Sequence, residues 1–348
     1  MSHDPSDSSS SQRLLGLWLG LAAFAALLAL PTPEGLAPEA QRAAAVAALM
    51  AVWWITETVD IAVTAFLPLP LFPLLGIQPA REVAGYYADH IVFLYLGGFL
   101  IALSMERWNL HRRVALNVIQ RVGSEPSRLV LGFMIATAFL SMWISNTATT
   151  MMMLPIAAAV VNQLAEMAVI DGKAGPEVTD RARVSFGVIL LLAIAYSASV
   201  GGVGTIIGSP TNVAFLGFVA ETFPEYGTIS FVEWSMVCVP IVIVFLPVIW
   251  LYLCRFGGDI PLSRIGFAGD VDVIENERKK LGVMRFEERA VLAVAAATGA
   301  LWILRSPIQV GGFGFPGWSS VFENPGSVQD STVAMAMAVL LFASPAKA

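Results

Sequence analysis

Charge is what this sequence has least of. Asp, Glu, Lys and Arg make up 13% of its 348 residues, against about 25% in a soluble domain. A chain so poor in charge cannot coat a water-facing surface, which excludes the ordinary soluble class. Histidine and cysteine are scarce as well, at three and two. That leaves little for a metal centre or a disulfide framework. Cys238 and Cys254 share one apolar run and read as small core or lipid-facing residues. No long basic run occurs and the net charge is −6, so nothing points to nucleic acid. The polar clusters also lack a His or carboxylate suited to act as general base, which argues against a membrane enzyme.

What is abundant is apolar sequence: 57% hydrophobic residues and a mean hydropathy of +0.73. Long apolar runs recur at Leu14–Leu30, Ala43–Thr56, Ile61–Ile77, Ile91–Met105, Leu129–Ile144, Val184–Gly208, Met236–Cys254 and Ala290–Leu304. A helix needs about 20 residues to cross the hydrocarbon core. Lipid offers backbone N–H and C=O groups no partner, so helices are the economical spans. The expected fold class is therefore an all-α polytopic membrane protein. Leu14–Leu30 could alternatively be a signal peptide, although no small-x-small cleavage site precedes Pro31. Residues 1–12 are rich in Ser and Asp and read as a disordered cytoplasmic tail.

Sixteen of the twenty Lys and Arg residues fall in alternate loops. They are Arg13, the group from Arg107 to Arg128, the group from Lys173 to Arg183, and the group from Arg255 to Arg289. Positive residues stay inside, which places the N-terminus in the cytoplasm. Arg128 and Lys173 then lie on the same side, although an apolar stretch separates them. That stretch is interrupted by Ser145-Asn146-Thr147-Ala148-Thr149-Thr150. Its two arms, Leu129–Ile144 and Met151–Val161, are each short for a span. A re-entrant hairpin with its tip at Ser145–Thr150 satisfies both length and charge. Irregular backbone at membrane depth is tolerated where it lines a cavity, so the tip is a candidate site. The plain alternative is one long helix whose Ser and Thr bond back to the preceding turn.

A second interruption follows in "SASVGGVGTIIGSPTN", Ser197–Asn212. Its glycines and Pro210 break a helix, and Pro210 pushes Ser209 out of the α region. The expectation is an unwound loop over about Gly201–Thr211, with Asn212 capping a short second half-helix. Close packing of helices through small residues is the other reading of the glycines. They match no phosphate loop, and no Lys is present. Two interrupted segments point to a site at the membrane midplane, where half-helix N-termini suit an anion and exposed oxygens suit Na⁺. An uncharged cage of hydroxyl, amide and carbonyl oxygens suits a hard monovalent cation better than a transition metal.

Three stretches together carry a resemblance: "WWITETVDIAVTAFLPLPLFPLLGI", "SMWISNTATTMMMLPIA" and "SASVGGVGTIIGSPTN". The chain resembles the divalent anion/sodium symporter family from about Trp53 onward. The Ser-Asn-Thr tip is specific only in combination with the Gly-rich broken helix. The resemblance implies Na⁺ as a co-transported ion and a di- or tricarboxylate such as succinate or malate as substrate. It implies a homodimer in the cell's inner (plasma) membrane, moving a substrate domain against a scaffold like an elevator. Ser141, Ser145, Asn146 and Gly208 would then hold Na⁺. Asn146 and Thr147 would meet a substrate carboxylate, with Ser145 and Ser209 beside them. The implied organisation is scaffold helices over 13–128, a transport region over 129–220 and further helices over 221–348. Family members carry a second Ser-Asn-Thr motif; this sequence has one. The expectation is an N-terminal part of a symporter whose complete site needs the other half. The alternatives are a sulfate or other inorganic anion symporter, Na⁺-independent dicarboxylate exchange, a channel, or a non-transporting remnant.

Several residues have plainer readings. Glu57 and Asp60 suit a turn between two apolar runs. Asp89, His90 and His111 read as interface residues, Trp53 and Trp54 as an interfacial aromatic belt, and Met151–Met153 as packing. Asp270–Arg289 reads as a charged surface helix.

Overall fold

Helices dominate because nearly every apolar run has a helix-compatible start. Proline stands in the first turn of six of them, where its missing N–H has no partner to lose. The structure, a computed structural model, describes residues 5–345 except 124, 166–167, 174, 228, 268–272 and 311–312. Two units emerge, Met1–Asp89 and His90–Ala348.

The first unit holds α1 (Pro5–Ala29), α2 (Pro38–Thr56), α3 (Ile61–Ala65), α4 (Pro68–Leu74) and α5 (Ala80–Tyr87). The tail expected to be disordered over 1–12 is instead helical from Pro5, because α1 propagates backward from its apolar body at one hydrogen bond per added residue. The run Ile61–Ile77 is not one span. It divides into α3 and α4, with Pro68 at the first position of α4 and Pro73 inside that helix. Glu57 and Asp60 form the turn between α2 and α3. Glu57 ends α2 in the left-handed conformation, and the Asp60 Oδ1 accepts the Ala62 N–H at 2.8 Å. Trp54 is exposed as a belt residue would be. Trp53 instead lies over Gly20 of α1, where any Cβ would come within 2.6 Å of its indole nitrogen.

The second unit contains α6 (His90–Arg107), α7 (Leu110–Val122), α8 (Pro126–Ser141), α9 (Asn146–Ala165), α10 (Pro176–Val203), α11 (Pro210–Thr222), α12 (Phe231–Phe256), α13 (Val273–Lys280), α14 (Phe286–Ile303) and α15 (Asp330–Ala343). Strands are minimal: β1 (Ala168–Ile170) pairs antiparallel with β2 (Ile265–Phe267), and β3 (Ile308–Val310) with β4 (Phe313–Phe315). Three stretches, Ala80–Arg107, Glu177–Val203 and Phe231–Phe256, are long and apolar enough to cross a membrane. The chain is an all-α membrane protein.

Its main core lies along α10, which packs against α8, α9 and α12. Phe133, Met134, Leu140, Phe186, Ile189 and Leu190 are fully buried there. A second cluster joins α6, α14 and α15 around Leu94, Trp302 and Ala334. Gly97 lets α6 approach the α15 backbone, since a Cβ would come within 2.6 Å of Ala334. Arg113 of α7 donates to Glu288 of α14 at 2.7 Å and to the Gly282 carbonyl at 3.0 Å. His111 is not an interface residue. Only 5% exposed, it faces the Met105 carbonyl at 3.2 Å. Burial holds its pKa below the ordinary imidazole value, because a charged ring there would be desolvated. The charged helix expected over Asp270–Arg289 is shorter: α13 covers Val273–Lys280, residues 281–285 are not helical, and Phe286 opens α14; residues 268–272 lie outside the described residues. Met153 is buried as a packing residue, while Met151 is exposed.

Candidate functional site

The first break is short. α8 ends at Ser141 and α9 begins at Asn146, so the backbone leaves helical geometry only over residues 142–145. The interruption expected at Ser145–Thr150 thus falls closer to the N-terminus, and Asn146–Thr150 are helical. The reason is capping. Ser145 precedes α9 and its Oγ accepts the Ala148 N–H at 3.4 Å, which lets the helix resume at once. Thr150 bonds back to the Asn146 carbonyl at 2.8 Å, as helical hydroxyls do. Within the break, the Trp143 ring stacks on Trp302 at 6.4 Å and passes over Gly299 of α14.

The second break is also narrower than expected. Gly201 and Gly202 stay helical, and irregular backbone covers residues 204–209, including a 3₁₀ turn at Ile206–Gly208. Pro210 starts α11. Asn212 is no cap. Ser209 holds the cap position without a side-chain bond to the helix backbone, and Asn212 turns inward. Its Nδ2 donates to the carbonyls of Gly202 and Thr205, both at 2.8 Å. One buried amide thereby satisfies the Gly202 carbonyl, left over at the end of α10, and adds a second donor to the Thr205 carbonyl, which also accepts the Gly208 N–H at 3.3 Å.

The two breaks meet. Ser141 Oγ lies 2.8 Å from Asn146 Oδ1 and 2.7 Å from the Ala198 carbonyl of α10. The hydroxyl has one proton for two acceptors, so three oxygens converge with an unmatched lone pair. Glycine makes the approach possible. A Cβ on Gly202 would lie 2.0 Å from Asn146 Oδ1. One on Gly201 would lie 2.3 Å from the Ala138 carbonyl, and one on Gly208 would lie 2.8 Å from the Ser141 carbonyl. Thr205, in the second break, donates to the carbonyl of Met142 in the first. The interruption and the small-residue packing are therefore one arrangement: α10 abuts α8 at the point where both helices stop.

Of the residues expected to form a site, Ser141, Asn146 and Gly208 are brought together. Ser145 is occupied in capping α9. Thr147 is exposed on the first turn of α9. Ser209 Oγ pairs with Thr211 Oγ1 at 2.8 Å at the start of α11. Among the described residues, no hydrogen bond ties Ser145, Thr147 or Ser209 to the Ser141 cluster. Three contributors escaped the sequence reading: Ala198, which offers only its carbonyl, Thr205, and Gly202 as the specific glycine facing Asn146. Thr205 carried a readable signal as a lone hydroxyl inside a Gly-rich interruption. Ala198 carried none.

Comparison with known proteins gives a consistent result. Residues 11–346 match the family model described as the sodium:sulfate symporter transmembrane region. A sodium-dependent dicarboxylate transporter, SdcS, of Staphylococcus saprophyticus is 40% identical over 335 residues, which is 96% of this chain and 61% of the relative. The SdcS of Staphylococcus aureus is 38% identical over 339 residues, 97% of this chain and 61% of the relative. The chain thus spans about three-fifths of the length of these curated relatives.

Proposed function

The chain belongs to the family of the sodium:sulfate symporter transmembrane region, and on that premise we propose that it serves Na⁺-coupled symport of a dicarboxylate. The observation that carries the proposal is the convergence of Ser141 Oγ, Asn146 Oδ1 and the Ala198 carbonyl around a single proton. A hard monovalent cation satisfies such a lone-pair-rich spot. The C-termini of α8 and α10 add partial negative charge from their last carbonyls. Ser145 and the Gly208 backbone complete the proposed Na⁺ ligands. The anion is assigned to the open polar groups at the helix starts, Asn146 and Thr147 on α9 and Ser209 before α11, where N–H groups suit a carboxylate. Na⁺ and anion share Asn146, so each tightens the other's binding by the same factor. The dicarboxylate is favoured by the names of the two relatives.

The wider proposal keeps α8 and α9 as a re-entrant hairpin and α10–α11 as a broken helix. Residues 129–220 form the transport region, between scaffold helices over 13–128 and further helices over 221–348. The region moves as an elevator in a homodimer. The protein sits multi-pass in the plasma membrane with its N-terminus in the cytoplasm, as the loop charges indicate.

Uptake of labelled succinate into proteoliposomes under an inward Na⁺ gradient tests this reading. The expected result is concentrative uptake that disappears when choline replaces Na⁺ and in Asn146→Ala. Equal uptake with choline would overturn the coupling. Full competition by excess sulfate, without competition by malate, would move the substrate to the inorganic class.

A further inference from the structure

Asp330 is the first residue of α15, and its carboxylate is buried. Its Oδ1 accepts from Arg305 Nε, and its Oδ2 accepts the Phe231 N–H at 2.8 Å. Its carbonyl accepts Trp302 Nε1 at 2.9 Å. One residue thus ties together the start of α12, the last turn of α14 and the start of α15. Arg305 is buried as well. A buried ion pair adds little stability over apolar packing of the same volume, because both charges lose their water. It does demand one geometry, since either charge left alone in the interior is costly. What that geometry fixes is the placement of Phe231 and Trp302.

These two rings lead to the first break. Phe231 and Trp302 stack with centroids 4.5 Å apart, and Trp143 lies 6.4 Å from each. Trp143 is the bulkiest side chain of residues 142–145, two residues after Ser141 and three before Asn146. The backbone of the break is held by short-range bonds alone: the N–H groups of Trp143 and Ile144 both reach the Leu140 carbonyl at 3.0 Å. The seat of the indole therefore decides where the break sits. Gly299 leaves room for it on α14, where a Cβ would come within 3.2 Å of the ring.

We infer that Asp330 is a positioning residue for the candidate cation site. Through Phe231 and Trp302 it holds the Trp143 indole, and with it the approach of Ser141 to Asn146. It acts on the break and not on the ion. The consequence for Na⁺ rests on the Na⁺-coupled reading; the hold on the break rests on the contacts alone.

Two readouts keep these apart. The first is amide hydrogen exchange of the purified chain in detergent with choline chloride and no Na⁺, which reports local opening. Asp330→Asn removes the charge that faces Arg305. Trp302→Phe keeps a ring but cuts the bond to the Asp330 carbonyl. Each is expected to speed exchange of the Met142, Trp143 and Ile144 amides about tenfold relative to the amides of α7. The second readout is the unfolding midpoint titrated with NaCl against choline chloride at constant ionic strength, since an ion bound only by the folded state raises it. Both variants are expected to raise the half-saturating Na⁺ concentration about tenfold, as loss of groups that orient a metal's ligands does. Trp318→Phe is the matched control. It deletes another indole bond to α14, from Trp318 Nε1 to the Leu301 carbonyl at 2.8 Å, but its ring meets Phe322 and not Trp143. Its expected effect is a lower midpoint, with exchange in the break and Na⁺ affinity unchanged. Exchange in the break that stays unaltered in Asp330→Asn and Trp302→Phe, or that rises equally in α7 or in Trp318→Phe, would overturn the inference. So would faster exchange in the break beside an unaltered half-saturating Na⁺ concentration. Faster exchange confined to the break, in a protein whose unaltered chain shows no Na⁺ response, would keep the positioning role and overturn the cation reading instead.

Discussion

The two breaks solve the same problem by different means. Residues 142–145 interrupt a helix and restart it with side chains: Ser145 caps α9 and Ser141 reaches across to α10. Residues 204–209 do it with missing side chains and one amide: Gly201, Gly202 and Gly208 admit a neighbour, and Asn212 gathers the carbonyls. The first break thus supplies chemistry and the second supplies space. A site built this way places its functional groups on one segment and its tolerance for close approach on the other.

Substitutions should separate the two roles. The largest effect is expected at Gly202→Val. Its new methyls would displace the Asn146 amide, and overpacking of this kind costs about 1–3 kcal/mol or more. Na⁺-dependent stabilisation is expected to vanish, because the ligand set is dispersed. A thermal titration that still responds to Na⁺ would place the site elsewhere. Next comes Asn212→Leu, which strips the buried Gly202 carbonyl of its donor at about 1–3 kcal/mol and leaves the Thr205 carbonyl only its bond from the Gly208 N–H. It should lower the unfolding midpoint and weaken Na⁺ dependence only in proportion to the loosened loop. Ser145→Ala removes a cap worth about 1 kcal/mol. If Ser145 also holds Na⁺, its loss of Na⁺ affinity should exceed what the stability change explains, and a purely structural loss would confine it to capping.

The smallest effect is a control away from both breaks. His111 is held neutral by burial. Its folded pKa is depressed, so the unfolded chain takes up the proton first as pH falls below the ordinary imidazole value. Stability should therefore be full above that value and decline below it until the folded ring also titrates. In His111→Gln this part of the acid sensitivity should disappear, with Na⁺ response unchanged. Unfolding midpoints measured from pH 8 to pH 5 in both proteins check this.

Much of this was legible beforehand, for identifiable reasons. The apolar runs are long and uncharged, so the helical spans could hardly be missed, and the clusters Ser145–Thr150 and Gly201–Asn212 stood out against them. The boundaries were less legible. Gly201 and Gly202 carry a helix-breaking signal in sequence, yet they remain helical because α8 packs against the face they leave bare. Asn212 looks like a cap from its place after Pro210, but the carbonyls it serves lie seven and ten residues upstream. His111 sits among arginines and still turns inward to Met105. In each case tertiary contact overrides a local preference, and only the fold reveals the contact.

The most direct test of the central claim, that the two breaks form one cation site, is a double-mutant cycle between Asn146→Ala in the first and Gly202→Ala in the second. The readout is the Na⁺-induced shift in unfolding midpoint. Residues sharing a site couple, so the account predicts that either change alone removes most of the shift and the pair removes no more. Two partial losses that simply add would contradict it, by showing that the breaks act on Na⁺ independently.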